Sequence, residues 1–472
     1  MKANKHTARP WWHGYAAGLL GLGLSSAVIA EASVPEVHSH TLDNGLKVLV
    51  LPDQRAPVVT QQIWYRAGSM DEPAGATGIA HMFEHMMFKG TENLAPGEFS
   101  EIIARLGGQE NAFTSRDYTA YFQTLSNEHL ETAMQWEADR LANLVIDPDE
   151  FQSERDVVKE EWRMRMRDNP NARLSQQLYA TAFVNSGYHH PIIGWEPDID
   201  AYSVEDLHQW RAQFYHPDNA TLVIVGDVDP KTVFSLAEKH YGPIPAGFQT
   251  ERKPRTEIKQ HGTKRLKLEL PARLPRLMMG YKVPSLVTAE EAWHADALTV
   301  LAALLSGGES SRFANELVRE NKLSRAWANY TATARAQTLF TLTAIPNQDQ
   351  PIEEVEAVLR EQIERLKTEL VSTEELARIQ AQVVASDVYQ RDSMFFQGMR
   401  LGIYQTAGLD YRDALRCVER IQAITPEQIQ KVAKMYFSDE SLTIAELKPL
   451  PLDTDERPNV PQSLEEPAHV AY

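Results

Sequence analysis

The chain writes one order of secondary-structure elements twice, and this repetition limits its fold more than any single motif does. In the first pass, Thr41–Val48 reads as two strands around an Asn44-Gly45 turn, and Gln61–Arg66 as a further strand. A helix ending at Gly90, a strand over Ala120–Thr124, a helix over Glu128–Leu144 and a buried-type strand over Ala220–Val225 follow, with Pro230 in the first turn of the next helix. In the second pass, Leu266–Leu270 and Met278–Lys282 read as strands, and Ala295–Leu305 as a helix closed by Gly307. Ser372–Leu376 opens a helix as Asp147–Phe151 did, and Val432–Asp439 echoes Trp210–Asp218 about 221 positions later. The expected class is α+β, with two homologous α/β layers and mainly antiparallel sheets. At 472 residues the chain exceeds one compact core. The boundaries read as a first domain over 33–247, a polar linker over 248–263, a second domain over 264–450 and a polar tail over 451–472.

The first copy carries a constellation with chemical meaning. His81 and His85 lie one turn apart on a predicted helix, so both imidazoles can reach one metal ion. Glu84 stands beside them, placed to take a proton from a water in an open position. This is H-x-x-E-H, the reverse of the commoner H-E-x-x-H zinc motif. Two surface histidines and an unrelated glutamate would read the same over five residues, so the weight falls on what else the chain supplies.

A catalytic zinc site needs three protein ligands. Glu154 and Glu161 are two turns apart on one helical face, with Val157 and Val158 between them as an apolar stripe. Glu161 reads as the third ligand and Glu154 as a carboxylate that supports a ligand from behind. Glu160 is the rival for the third position, and Glu150, Glu154, Asp156, Glu160 and Glu161 cannot all be ligands.

With this glutamate 76 positions after His85, inside Glu154-Arg155-Asp156-Val157-Val158-Lys159-Glu160-Glu161, the sequence resembles the pitrilysin or inverzincin metallopeptidases (insulinase family). These include insulin-degrading enzyme and the mitochondrial processing peptidases, whose β subunit this two-domain chain resembles. The likeness continues through Phe88–Thr91, Gly107–Ser115, Ile192–Trp195 and Phe214–Asn219. The resemblance implies one Zn2+ per chain on His81, His85 and Glu161, Glu84 as general base, Glu154 in support, and hydrolysis of unfolded peptides. It also implies that the two layers form a bowl, half of a clamshell chamber closed by a second chain.

The second copy has lost the chemistry. Its helix over Ala295–Leu305 has no histidine pair, and aligning Asp149 with Glu374 sets Ile379 opposite Glu154 and Ser386 opposite Glu161. In the family the inactive half commonly supplies an arginine and a tyrosine for substrate. Here Arg319 corresponds to the arginine, but Arg325 or Ala326 stands where the tyrosine is expected. That departure implies a heterodimer with a homologous chain lacking a complete zinc site. The rival is a homodimer in which Trp327 or Tyr330 serves.

Gly107-Gly108 followed by a short polar strand can expose main-chain groups at a sheet edge, where an extended peptide adds as a further strand. Asn111 could then donate to the scissile carbonyl and Ala112 and Phe113 contact substrate; an ordinary glycine turn is the plain alternative. His189-His190 reads as loop or core.

The formal charge of −18 disfavours nucleic acid or an acidic membrane as partner. Lys2, Lys5 and Arg9 precede an apolar run from Tyr15 to Ile29, which reads as a signal peptide over 1–32 whose loss would take the charge to −21. An uncleaved membrane anchor is the alternative. Cys417 is the only cysteine, so no internal disulfide can form. A periplasmic zinc endopeptidase is the function expected, with a non-hydrolytic chaperone or assembly subunit as the other class.

Overall fold

The computed structural model describes residues 36–247 and 252–452. The expected signal peptide, and all but Pro451 and Leu452 of the C-terminal tail, lie outside them. The described residues form one compact unit. Its backbone is organised around two sheets, a six-stranded one in the order β1-β2-β6-β3-β5-β4 and a five-stranded one in the order β7-β11-β8-β10-β9. The first contains β1 (His38–Thr41), β2 (Lys47–Pro52), β3 (Val58–Tyr65), β4 (Gln109–Thr114), β5 (Thr119–Ser126) and β6 (Ala220–Gly226). The second contains β7 (Lys264–Pro271), β8 (Arg276–Val283), β9 (Arg325–Asn329), β10 (Thr338–Ile345) and β11 (Leu442–Leu450).

Set β1 aside and the two sheets have one topology. In each, the first strand of the copy pairs parallel with the last, β2 with β6 and β7 with β11. Every other pairing is antiparallel. The duplication read in the sequence is thus a duplication of strand order, and the sheets are mixed by one parallel pair each.

Both faces of each sheet are covered, which is why the inner strands read as unbroken apolar runs. Alternate residues feed different cores. Val48 and Val50 of β2, Leu222 and Ile224 of β6, and Ile63 and Tyr65 of β3 pack with the helices of the first half. Leu49, Leu51, Val223, Val225 and Trp64 point the other way and meet Leu401, Ile403 and Tyr411.

Those last three residues come from the second half. The helix Met394–Ala407 lies on β3 and β6 of the first sheet, while Pro170–Ala182 of the first half lies on β7, β8 and β11 of the second. Leu174, Leu178 and Ala182 there pack with Met278, Leu339, Ala445 and Leu447. Each half therefore lends a helix to the other's sheet. Two glycines make the first docking possible: a Cβ on Gly402 would lie 2.1 Å from the Trp64 indole, and one on Gly398 would lie 2.7 Å from the Gln62 amide. The Gln62 Nε2 donates to Phe395 O at 2.9 Å, and Trp64 Nε1 to Gln62 Oε1 at 3.1 Å.

The described part of the expected linker, 252–263, is a packed strap. The Glu257 carboxylate accepts from the Val184, Asn185 and Ser186 amides and pairs with Lys282 Nζ at 2.9 Å. Arg252 reaches Asp71 at 2.9 Å, and Arg255 donates to Met70 O and Glu72 O. Polar composition here marks partners at the seam of two halves.

Candidate metal centre

The helix Ile79–Met86 carries the histidines, and its start is fixed by chemistry read only in part from the sequence. Gly78 caps it in the left-handed conformation (φ 89°). The fully buried Glu72 side chain accepts from Gly78 N at 2.8 Å and Ala80 N at 2.9 Å at the start of the helix, and burial pushes its pKa well up against these two bonds. His190, of the ambiguous His189-His190 pair, is core: its Nδ1 lies 3.4 Å from Glu72, and burial lowers its pKa to about 4. His189 Nδ1 meets Ser186 O at 2.8 Å. The segment Ile192–Trp195 is the buttress. Gly194 also adopts the left-handed region (φ 88°), and a Cβ there would lie 2.2 Å from Thr77 O. Thr77 Oγ1 accepts from Trp195 N at 2.9 Å and donates to Asp198.

The second helix, Pro148–Trp162, begins with Pro148 after the Asp147 cap, whose side chain accepts from the Asp149 and Glu150 amides. Its buried face is Phe151, Glu154 and Val158. Val157 is 50% exposed, so the expected two-valine stripe is Val158 alone: one helical face takes residues three and four apart, and 154, 158 and 161 use that spacing. Glu160 points away and pairs with Arg163 at 2.8 Å while 60% exposed, which leaves Glu161 as the carboxylate at the site.

The two helices bring His81, His85 and Glu161 together, with one donor atom from each within 4.8 Å of the others. Glu161 Oε2 lies 3.6 Å from His81 Nε2 and 3.4 Å from His85 Nε2. For bonds of about 2.0 to 2.1 Å, tetrahedral ligand atoms stand about 3.3 to 3.4 Å apart, so this spacing fits zinc. Glu161 Oε2 is buried and accepts no hydrogen bond, which a cation would remedy. Its other oxygen, Oε1, pairs with Arg165 at 2.8 Å, from the π-helical turn Arg163–Arg167 that follows the helix. Glu154 Oε1 lies 2.7 Å from His85 Nδ1, and its Oε2 2.5 Å from Lys89 Nζ, so Glu154 orients the imidazole and Lys89 holds Glu154.

The charges suit a divalent ion. Burial pushes His81 down to about 4, so it is neutral near pH 7. Burial alone would also lower His85, but Glu154 and Glu161 together outweigh it and raise this imidazole to about 9. Burial opposes ionisation of Glu161; the neighbouring His85 and the charges of His81 and Arg165 overcome it and hold the carboxylate at about 2. Glu84 is different, for burial dominates and raises its pKa despite the hydrogen bond it accepts from Thr114 Oγ1. A carboxylate with raised basicity beside a cation site is suited to accept a proton.

The expected substrate residues are placed less uniformly. Asn111, Ala112 and Phe113 lie on β4, the terminal strand of its sheet, which pairs only with β5 among the described strands. Its outer edge is the one a peptide could extend, and Thr114 ties the strand to Glu84. Asn111 is exposed, its Oδ1 accepting from Ala112 N. Ala112 packs with the metal-helix core. Phe113 faces the opposite side of the sheet, 5.5 Å from the Trp64 ring, because successive strand residues alternate. Arg319 is not brought to this site; it pairs with Glu309 at 3.1 Å and with Asn315, both of its own half. Sequence reasoning assigned no role to Thr114, Lys89, Arg165 or Glu72, although Thr114 and Lys89 sit inside segments that carried the family resemblance.

Comparison with known proteins agrees with this geometry. Residues 47–196 match the family described as insulinase (peptidase family M16), and residues 201–383 match the peptidase M16 inactive domain. The zinc protease PqqE of Helicobacter pylori is 31% identical over 456 residues, 91% of this chain and 98% of that protein. An uncharacterized zinc protease of Bacillus subtilis, YmxG, is 24% identical, with 86% and 96% covered. Among solved structures, a protease from Helicobacter pylori superposes with a TM-score of 0.83 at 31% identity, covering 88% of this chain and all of that one. The periplasmic protease PqqL from Escherichia coli shares the fold (TM-score 0.73, 20% identity), and this chain spans 89% of its own length but 49% of that chain. The chain belongs to the insulinase family, peptidase family M16.

Proposed function

We propose that this protein is a zinc-dependent endopeptidase that hydrolyses unfolded peptides. The observation that carries the reading is the orphaned, buried Glu161 Oε2 between two imidazole Nε2 atoms, with Glu84 on the same helix as both histidines. His81, His85 and Glu161 would hold the ion. Zinc bound there supplies a Lewis acid that acidifies water and stabilises negative charge on a carbonyl oxygen. Glu84 takes the proton of the attacking water and passes it to the leaving nitrogen. Thr114, donating to Glu84, fixes which carboxylate oxygen turns to the substrate, and β4 offers its free edge to an extended peptide. A non-hydrolytic assembly subunit would need no such base beside the ligands.

The partner we propose is a homologous chain without a complete zinc site, the two closing one chamber. Tyr330 supports this over the homodimer, because it is buried and its hydroxyl is committed to Pro284 O at 2.7 Å. The length of PqqL, about twice the span this chain matches, also suits an assembly of two chains of this size. The site of action we propose is the periplasm, from the N-terminal segment. Digestion of an unstructured peptide mixture by the purified chain, alone and with the homologous chain, tests the proposal. Cleavage abolished by chelation and restored by zinc is expected; cleavage indifferent to zinc, or none in either preparation, overturns it.

A further inference from the structure

The second half has no metal ligand, yet one of its side chains reaches the two segments that set the catalytic geometry of the first. Arg335, which is nearly fully buried, grips Asp71 with both terminal nitrogens, at 2.8 and 3.1 Å. The nitrogen at 2.8 Å also donates to Asp117 O at 3.0 Å, and the Arg335 amide donates to Asp117 Oδ2 at 3.3 Å. Tyr188, from the first half, donates from its hydroxyl to Asp117 Oδ1 at 2.5 Å, and the Tyr188 hydroxyl oxygen itself accepts from Ala336 N at 3.3 Å.

Asp71 and Asp117 are not arbitrary anchors. Asp71 immediately precedes Glu72, whose side chain holds the first turn of the metal helix. Asp117 lies in the turn between β4 and β5, three residues after Thr114, which donates to Glu84. The same turn is sewn to the Asp71 segment by Ser69 N to Ser115 O at 3.1 Å and Met70 N to Arg116 O at 2.9 Å. Gly68 leaves no room between them, a Cβ there meeting Arg116 O at 2.5 Å. One guanidinium from the metal-free half thus ties together the base of the metal helix and the hairpin that orients the general base.

We propose that Arg335 is a positioning residue for hydrolysis, through which the inactive half fixes Glu84 and the substrate-binding edge of β4. This rests on the peptidase reading above. A planar guanidinium gripping one carboxylate with two nitrogens and reaching a second segment sets distance and angle together, which an ammonium does not. Its loss should loosen the β4–β5 hairpin while leaving His81, His85 and Glu161 in place. The effect should therefore fall on kcat through Glu84 and on KM through the loosened β4 edge, with zinc content unchanged. Displacements of about 1 Å at a catalytic group cost on the order of 10- to 100-fold in rate.

The geometry also supplies a specific rescue. Arg335 lines a cavity of about 1220 Å³ between the halves, so a small cation can reach the space its side chain would vacate. The test uses the full chain, zinc-loaded, as wild type, Arg335→Ala, Arg335→Lys and Asp117→Asn. For Arg335→Ala a fall in kcat of about tenfold or more is expected at unchanged zinc content, partly restored by millimolar methylguanidinium and not by methylammonium. Arg335→Lys should recover less than the guanidinium does. Amide hydrogen exchange over 109–119 should quicken in Arg335→Ala and in Asp117→Asn, a readout independent of turnover and available if the alanine variant folds poorly. A folded Arg335→Ala protein with wild-type kcat, or unchanged exchange over 109–119 in Asp117→Asn, overturns the proposal. Failure of the wild-type protein to cleave any peptide would instead strike the peptidase reading, and the exchange experiment would still judge the latch.

Discussion

Replacing Glu154 by glutamine probes the metal centre without touching a ligand. The Glu154 carboxylate contacts His85 Nδ1 at 2.7 Å and Lys89 Nζ at 2.5 Å, so it is held on one side and orients an imidazole on the other. Glutamine keeps the shape and one acceptor oxygen. If that oxygen stays on the imidazole, the amide NH2 must face the Lys89 ammonium, donor against donor; if it turns to Lys89, His85 loses its acceptor. Either way the ligand is less well oriented and less basic. Losses of this kind weaken metal binding by about 10- to 100-fold, or about 1.4 to 2.7 kcal/mol. Competition against a chromophoric chelator measures the shift directly. Adding Lys89→Met to Glu154→Gln should recover part of it, because the opposed donor is gone. Glu160→Gln is the control and should change nothing, since Glu160 points outward to Arg163. Zinc affinity unaltered in Glu154→Gln, or lost in Glu160→Gln, would refute the assignment.

Zinc uptake should release close to one proton at pH 7. In the metal-free site His85 is raised to about 9 and is charged, while His81 near 4 and Glu161 near 2 have already lost theirs. Ligation needs a neutral imidazole, so affinity should climb about tenfold per pH unit up to pH 8 and flatten above about 9; calorimetry in buffers of different ionisation enthalpy counts the proton, and a count of zero contradicts this. Gly402→Val should lower stability by about 3 kcal/mol, because the new side chain enters the Trp64 indole. Since each half lends a helix to the other's sheet, thermal unfolding should shift as one transition; an unchanged midpoint would contradict the exchanged packing.

What the sequence disclosed and what it hid follow from the range of the forces involved. His81, Glu84 and His85 share one helix, and helical spacing alone places them together. Glu161 was legible for the same reason, its separation from Glu154 being two turns, and Val158 on that face with Glu160 off it is the same rule applied to neighbours. The repeated strand order was visible because each copy uses similar local patterns. The helix exchange was not: an apolar stripe on Met394–Ala407 says that the helix is covered, and only the glycines facing Gln62 and Trp64 say by what. That Phe113 packs toward Trp64, on the face away from Thr114 and Glu84, is not legible until the strand is known. The grip of Arg335 on Asp71 and Asp117 is a tertiary pairing with no local signature, whereas Arg165 stands one turn after Glu161, at a spacing the sequence does show.

The central claim is that Glu84 does the proton chemistry while His81, His85 and Glu161 hold the ion. Glu84→Gln, measured for zinc content and for single-turnover cleavage of an unstructured peptide, tests it most directly. The amide is nearly isosteric and still accepts the Thr114 hydroxyl, so full zinc occupancy is expected with cleavage slowed by roughly 10²-fold or more. Near-native cleavage at unchanged zinc content would contradict the account.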